Sequence, residues 1–241
     1  MSFARTFRTA TTVSRTLAAR PSLPLRTALR TTAPIQTRTM ASSTNFLEAI
    51  KKRRTYYAIS NKSNISDERI QEIVKEIVLH VPSSFNSQSS RIVVLFKAEH
   101  EKLWDIASEV LKPIVPEQQW ATTEKKLSSF KAGYGTVLFF EDQVPVRELQ
   151  KNFPLYQESF PVWSEHSSGM VQFATWTALE QEGFGASLQH YNPLIDQKVK
   201  ATWNIPETWN LIAEMPFGVP AGTPGDKSFK PIEERVKFYG A

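Results

Sequence analysis

The 241-residue chain has no cysteine, which excludes disulfides, thiolate nucleophiles, iron–sulfur ligation and cysteine-bound zinc. It has no apolar run near the ~18 residues needed to cross a bilayer, so the mature protein is expected to be soluble. His80, His100 and His166 share no metal-ligand spacing, and no internal repeat appears. No catalytic triad, metal cluster or carboxylate pair stands out. Chemistry carried by the side chains alone has little to work with here.

Acid and lysine are missing from the first 39 residues, which hold seven arginines and thirteen Ser or Thr residues; the first carboxylate is Glu48. Arginine-rich, hydroxyl-rich and acid-free is the composition of a mitochondrial transit peptide. A basic tail that touches nucleic acid or membrane is the alternative, although such arms usually mix in lysine. Met40 offers an alternative start that would yield a cytosolic form. The whole chain carries 29 − 24 = +5, and from Met40 onward (29 − 7) − 24 = −2. The basic surplus therefore belongs to the tail, and the folded part has none with which to attract a polyanion. The reading is a tail, 1–39, and one domain, 40–241, with ample apolar content for a core.

Along that domain, residues 45–54 predict a short helix ending at Arg53-Arg54. Ser66-Asp67-Glu68 predicts a capped helix start, followed by a buried stripe of Ile70, Ile73, Val74, Ile77 and Val78. Arg91–Phe96 and Thr136–Glu141 predict buried strands, with helical patterns between them at His100–Leu111 and Glu117–Lys131. Asn152–Trp163 is aromatic and broken by Pro154 and Pro161, which predicts an irregular lid or wall around an apolar ligand; ordinary loop packing is the alternative. Glu165–Glu182 is apolar over more than one face, as a central or shared helix would be. Gly185–Gln189 and Trp209–Met215 predict two more strands. The interleaving gives an α+β (α/β-like) fold.

Between the second helix and the first strand lies Pro82-Ser83-Ser84-Phe85-Asn86-Ser87-Gln88-Ser89-Ser90, a polar corner suited either to a multi-atom polar ligand or to plain solvation. Arg53-Arg54-Thr55 near the start and Lys227 and Lys230 near the end add planar and point-charge donors suited to a phosphate dianion. A basic helix end complementing its own dipole is the alternative for the arginines.

The order of these segments resembles the FMN-dependent nitroreductase family, and more closely its fungal Frm2-like and Hbn1-like branch. The marks are Arg53-Arg54-Thr55-Tyr56-Tyr57, the Pro-Ser-Ser-x-Asn-x-Gln corner, Leu188-Gln189-His190-Tyr191-Asn192 and Phe229-Lys230-Pro231-Ile232-Glu233-Glu234-Arg235, spread over nearly all of 44–241. The resemblance implies a homodimer with a central mixed sheet flanked by helices. It also implies FMN as cofactor, NADH or NADPH as donor, and a small electron-poor acceptor, reduced by ping-pong hydride transfer through flavin N5.

By that resemblance Arg53, Arg54, Thr55, Lys227 and Lys230 would hold the phosphate and ribityl chain, and Pro82, Ser83, Ser84, Asn86 and Gln88 the flavin edge and tail. Leu188, Gln189 and His190 would bring backbone amides to the reactive ring edge. The chain departs from the family at Tyr57 and Phe229, where many members carry basic residues. A quinone-type reductase and a flavin-fold regulatory protein in lipid or oxidative-stress signalling stay open as alternatives.

Overall fold

A computed structural model describes residues 42–241; the expected transit segment, 1–39, lies outside the described residues. Five strands are β1 (Ile59–Ser60), β2 (Ser90–Phe96), β3 (Gly135–Asp142), β4 (Gly185–Ala186) and β5 (Trp209–Pro220). Seven helices are α1 (Ser42–Lys52), α2 (Asp67–His80), α3 (Lys97–Leu111), α4 (Glu117–Lys131), α5 (Gln143–Asn152), α6 (Ser159–Gln181) and α7 (Asp196–Trp203). The strands run in the order β1-β5-β3-β2, with β4 also on β5. All ladders are antiparallel, and a parallel bridge between Thr55 and Ala186 makes the sheet mixed.

β3 lies in the middle of the sheet and is buried along its whole length. Its continuous apolar run follows from that position, because helices cover both faces. Side chains alternate: Leu138 and Phe140 join the core under α3, α4 and α7, while Val137 and Phe139 join the core under α2 and α6. A bulge in β5 interrupts this rhythm. Phe139 pairs with Ala213 and Phe140 with Leu211, leaving Ile212 as the extra residue. One extra residue swaps the faces, so Leu211 belongs to the first core and Ala213, Met215 and Phe217 to the second. Glu214, opposite Leu138, is thereby turned toward α3, α4 and α7, where it is fully buried.

Several sequence expectations change on contact with tertiary structure. Ser66 does cap α2, its hydroxyl accepting from the Arg69 amide at 3.2 Å. The stripe behind it is shorter than predicted: Ile70, Ile73 and Val74 are buried, Ile77 is half-buried and Val78 is exposed. β2 is an edge strand, and among its residues only Leu95 is fully buried. The stretch predicted as irregular is half α-helical, because α5 runs to Asn152 and α6 starts at Ser159, with a 3-10 turn at Pro154–Tyr156 between them. Pro161 fits in the first turn of α6, where amides have no intrahelical acceptor to lose. Gly185–Gln189 is a two-residue strand plus a bridge from Gln189 to Glu214. β1, α5 and α7 were not anticipated. Among the described residues no helix is long and apolar enough to cross a membrane.

Of the glycines in the sheet, Gly218 in β5 leaves the least room for a side chain. A Cβ there would stand 2.0 Å from the Ser60 carbonyl oxygen and 3.1 Å from the Tyr134 amide. Backbone cannot yield as a side-chain tip can, so Gly218→Ala is expected to cost about 2 kcal/mol or more. Chemical denaturation checks this; an unchanged midpoint would contradict the close approach.

Candidate functional site

α1 ends where its backbone meets α6, and that junction sets the two arginines. The Arg54 amide donates to both Glu180 carboxylate oxygens at 2.9 and 3.0 Å. Burial pushes the Glu180 carboxyl up, against the opposing pull of the Arg54 amide and both guanidinium groups. The Arg53 guanidinium lies 4.4 Å over the Trp176 ring, a cation–π contact that orients it without neutralising it. Arg54 Nη2 donates to the Gly225 carbonyl. Thr55 is pinned by its bridge to Ala186, and the next amide, Tyr56, donates to the Ala186 carbonyl at 2.9 Å.

Arg53, Arg54 and Thr55 line a recess of about 280 Å³ with Tyr57, Gly225, Asp226 and Lys227. Three cations and one carboxylate leave it at 3 − 1 = +2. Among the described residues neither arginine nor Lys227 enters an ion pair. Clustered cations without carboxylate partners repel one another, and an anion is what relieves them. The recess therefore fits a phosphate, with Thr55 as a neutral donor beside it. The side chain of Lys227 lies over Phe229 at 5.2 Å. Lys230 is exposed and lies outside the recess. Tyr57 takes a place where the family resemblance would put a further cation.

The polar corner is a separate construction. Pro82, Ser83, Asn86 and Gln88 line a recess of about 130 Å³ against Val171 of α6. Part of its polarity is spent internally: Ser83 Oγ accepts from the Gln88 amide at 2.9 Å, and the Ser83 carbonyl from the Asn86 amide at 3.0 Å. Phe85, Asn86 and Gln88 have φ of 53°, 51° and 49°. For Phe85, with a bulky side chain, the left-handed backbone is costly and persists only where surroundings impose it.

Those surroundings are aromatic. Phe85 lies 5.0 Å from Phe153, 5.4 Å from Phe160 and 6.1 Å from Trp163 between ring centroids. The segment expected to wall an apolar ligand packs on Phe85 of the chain itself, as the loop-packing alternative has it. Beside it Ser84, Phe85, Trp163, His166, Ser167 and Met170 line an apolar recess of about 410 Å³.

Ser89 and Ser90, read as part of the cradle, serve a buried anchor that the sequence did not reveal. Glu141, fully buried at the end of β3, accepts from Ser89 Oγ at 2.6 Å, Ser90 Oγ at 2.5 Å and Ser164 Oγ at 2.5 Å. It thus ties the corner to α6. An acid inside a strand, directly after the apolar run 137–140, was the available signal. Glu180 and Trp176 were missed for want of one, since neither departs from an ordinary helix pattern.

Leu188, Gln189 and His190 line none of these recesses. Gln189 exchanges backbone hydrogen bonds with Glu214 at 2.7 and 3.0 Å, Leu188 is half-buried, and His190 is exposed.

Residues 50–219 match the profile described as the Nitroreductase family. The chain is 36% identical over 202 residues to the Hbn1 protein of Saccharomyces cerevisiae, covering 83% of this chain and all of that one. To the nitroreductase Frm2 of the same yeast it is 33% identical over 203 residues, again covering 83% and 100%. The solved structure of nitroreductase CinD from Lactococcus lactis, in complex with chloramphenicol, superposes with a TM-score of 0.73 at 42% identity over 80% of this chain and 99% of that one.

Arg53→Ala and Lys227→Ala are each expected to weaken binding of FMN to apoprotein by roughly tenfold to a hundredfold, ~1.5–3 kcal/mol, the range for hydrogen bonds to a charged group. Lys230→Ala should change it little. Fluorescence titration reads all three, and equal affinities would contradict the assignment.

Proposed function

The chain belongs to the nitroreductase family, and from that premise we propose that it is an FMN-dependent NAD(P)H oxidoreductase reducing nitroaromatic or similar electron-poor compounds. The observation that carries the proposal is the recess in which Arg53, Arg54 and Lys227 stand without carboxylate partners beside Thr55. When bound, the flavin supplies hydride acceptance from a nicotinamide and hydride delivery to the acceptor in alternation, a ping-pong route.

The protein's part is to bind, orient and exclude water. Arg53, Arg54, Thr55 and Lys227 hold the phosphate end. Glu180 fixes the Arg54 backbone and Trp176 fixes the Arg53 side chain, so neither arginine must be ordered when ligand arrives. Pro82, Ser83, Ser84, Asn86 and Gln88 offer polar contacts to the ring, and the backbone amides of Leu188 and His190 stabilise charge that develops at its edge. Phe85, Phe153 and Trp163 give flat apolar surfaces to a planar acceptor and keep the site dry.

Within one protomer these parts meet different stretches of α6. The arginines meet it at Trp176 and Glu180, whereas the corner meets it from Trp163 to Val171; along the axis the two stretches are separated by about 8 Å at their nearest and about 25 Å at their farthest, at about 1.5 Å per residue. A twofold pairing of antiparallel α6 helices would place one chain's corner beside its partner's arginines. Val162, Met170 and Phe173 are exposed on one stripe of α6, and Phe229, Ile232, Val236, Phe238 and Tyr239 on the C-terminal arm, an apolar excess that supports a homodimer. The acid-free tail supports a mitochondrial address.

Purified protein is expected to be yellow, to bleach with NADH or NADPH, and to recolour on adding a nitroarene. Colourless protein that takes up no added FMN would overturn the proposal. Phe173→Glu is expected to yield folded monomers by sedimentation, with flavin lost; a dimer that keeps its flavin would sink the shared-site arrangement.

A further inference from the structure

Glu214 is buried on the side of the sheet away from α6, where the β5 bulge has turned it. It grips the Leu188–Asn192 segment twice. Its backbone pairs with that of Gln189, and its Oε2 accepts from the Tyr191 amide at 2.9 Å, while the nearby Asn192 amide favours the charged carboxyl. The other carboxyl oxygen, Oε1, is buried without any donor. So are Asp196 Oδ1 and Asn192 Oδ1. Three acceptors in one neighbourhood lack a donor, and each would cost ~1–3 kcal/mol if left so.

Charge gives the same answer. The groups facing Glu214 are the Tyr191 phenol and the Asn192 amide from the 187–195 segment, and Asp196 from α7, which Lys200 of the same helix faces in turn. Lys200 is buried too, and donates to the Glu207 carbonyl at 2.9 Å. With both carboxylates ionised, the cluster would carry −2 + 1 = −1 away from solvent, an arrangement that burial penalises heavily. One proton removes the charge and supplies a donor. Turning the Asn192 amide would serve one acceptor but would leave the second negative charge in place.

We infer that Glu214 is a positioning residue held as the neutral acid, its proton shared with Asp196, and that this pair fixes the Leu188–Asn192 backbone so that the Leu188 and His190 amides, which Glu214 does not take, meet the flavin edge. The flavin half of this inference rests on the function proposed above; the proton half does not. Burial first, and Asp196 after it, push the Glu214 carboxyl up to about 7. Burial likewise pushes the Tyr191 phenol up to about 12, so Tyr191 stays neutral throughout. A folded value above the ordinary carboxyl value means stabilisation that is fully present below about 4.5 and is lost as pH rises through about 7. His100, whose burial lowers it to about 4, acts with the opposite sign over an overlapping window. It is common to any pair of Glu214 variants and cancels in their comparison.

The test uses full-length holoprotein, wild type and Glu214→Gln, from pH 5 to 9. Infrared difference spectra of the wild type should show a protonated-carboxyl carbonyl band at pH 6 that fades above pH 8 and is missing from the variant. The Tm of Glu214→Gln should gain on the wild type steadily from pH 5 to 8. The visible flavin spectrum of the wild type should shift with a midpoint near pH 7, and that of the variant should stay flat. Absence of the band, or a constant Tm gap, overturns the neutral acid, and the infrared titration alone decides this even if the variant does not fold. A band and a growing Tm gap with an unchanging wild-type flavin spectrum overturn the positioning role. Protein that binds no FMN overturns that role together with the proposed function, while the other two readouts still decide the proton.

Discussion

Glu180, near the end of the longest helix, grips the Arg54 amide and so holds two cations side by side without neutralising either. A carboxylate placed against the guanidinium groups would have given an ordinary surface ion pair of little value. Placed against the backbone, it spends its hydrogen-bonding capacity on geometry and leaves the side-chain charges for a ligand. Trp176 does the same for Arg53 through its ring face. The electrostatic cost of keeping Arg53, Arg54 and Lys227 together is carried by the fold, and it is recovered when an anion arrives.

The same logic recurs at the other two segments assigned to the site. Glu141 collects three serine hydroxyls and anchors the polar corner to α6, which lets Phe85 be held in a left-handed backbone conformation among aromatic rings. Glu214 grips the segment ending at Asn192. Three acids thus position the three stretches of chain proposed to meet the cofactor. A buried acid is expensive unless its oxygens find donors. Glu180 and Glu141 find donors for both oxygens, in the segments they hold and on α6, whereas Glu214 finds one for Oε2 alone.

How much of this could be read in advance depends on how local each cause was. The Ser66 cap and the fully buried strand at 136–141 follow from neighbours in sequence, and both stand in the structure. The equally apolar run at 91–96 was expected to be buried alike, but edge or centre is decided by strand order, which no single run contains. Pro154 and Pro161 suggested a broken segment because the start of α6 at Ser159 was not legible, and prolines cost little in a first turn. Arg53, Arg54, Thr55 and Lys227 were found by residue type and do converge; Lys230, found the same way, does not. Glu141, Glu180 and Glu214 were invisible as functional candidates because their roles come from partners between about 20 and 130 residues away, set by packing and, for Glu214, by a one-residue bulge.

The account stands or falls on the unpaired cations recognising a phosphate. Its most direct test is the affinity of apoprotein for FMN against riboflavin, which carries the same ring and ribityl chain without the phosphate, measured at low and at high salt. FMN should bind tighter by at least about tenfold, one charge-assisted contact's worth, and the gap should narrow as salt rises. Equal affinities at every salt concentration would contradict the account.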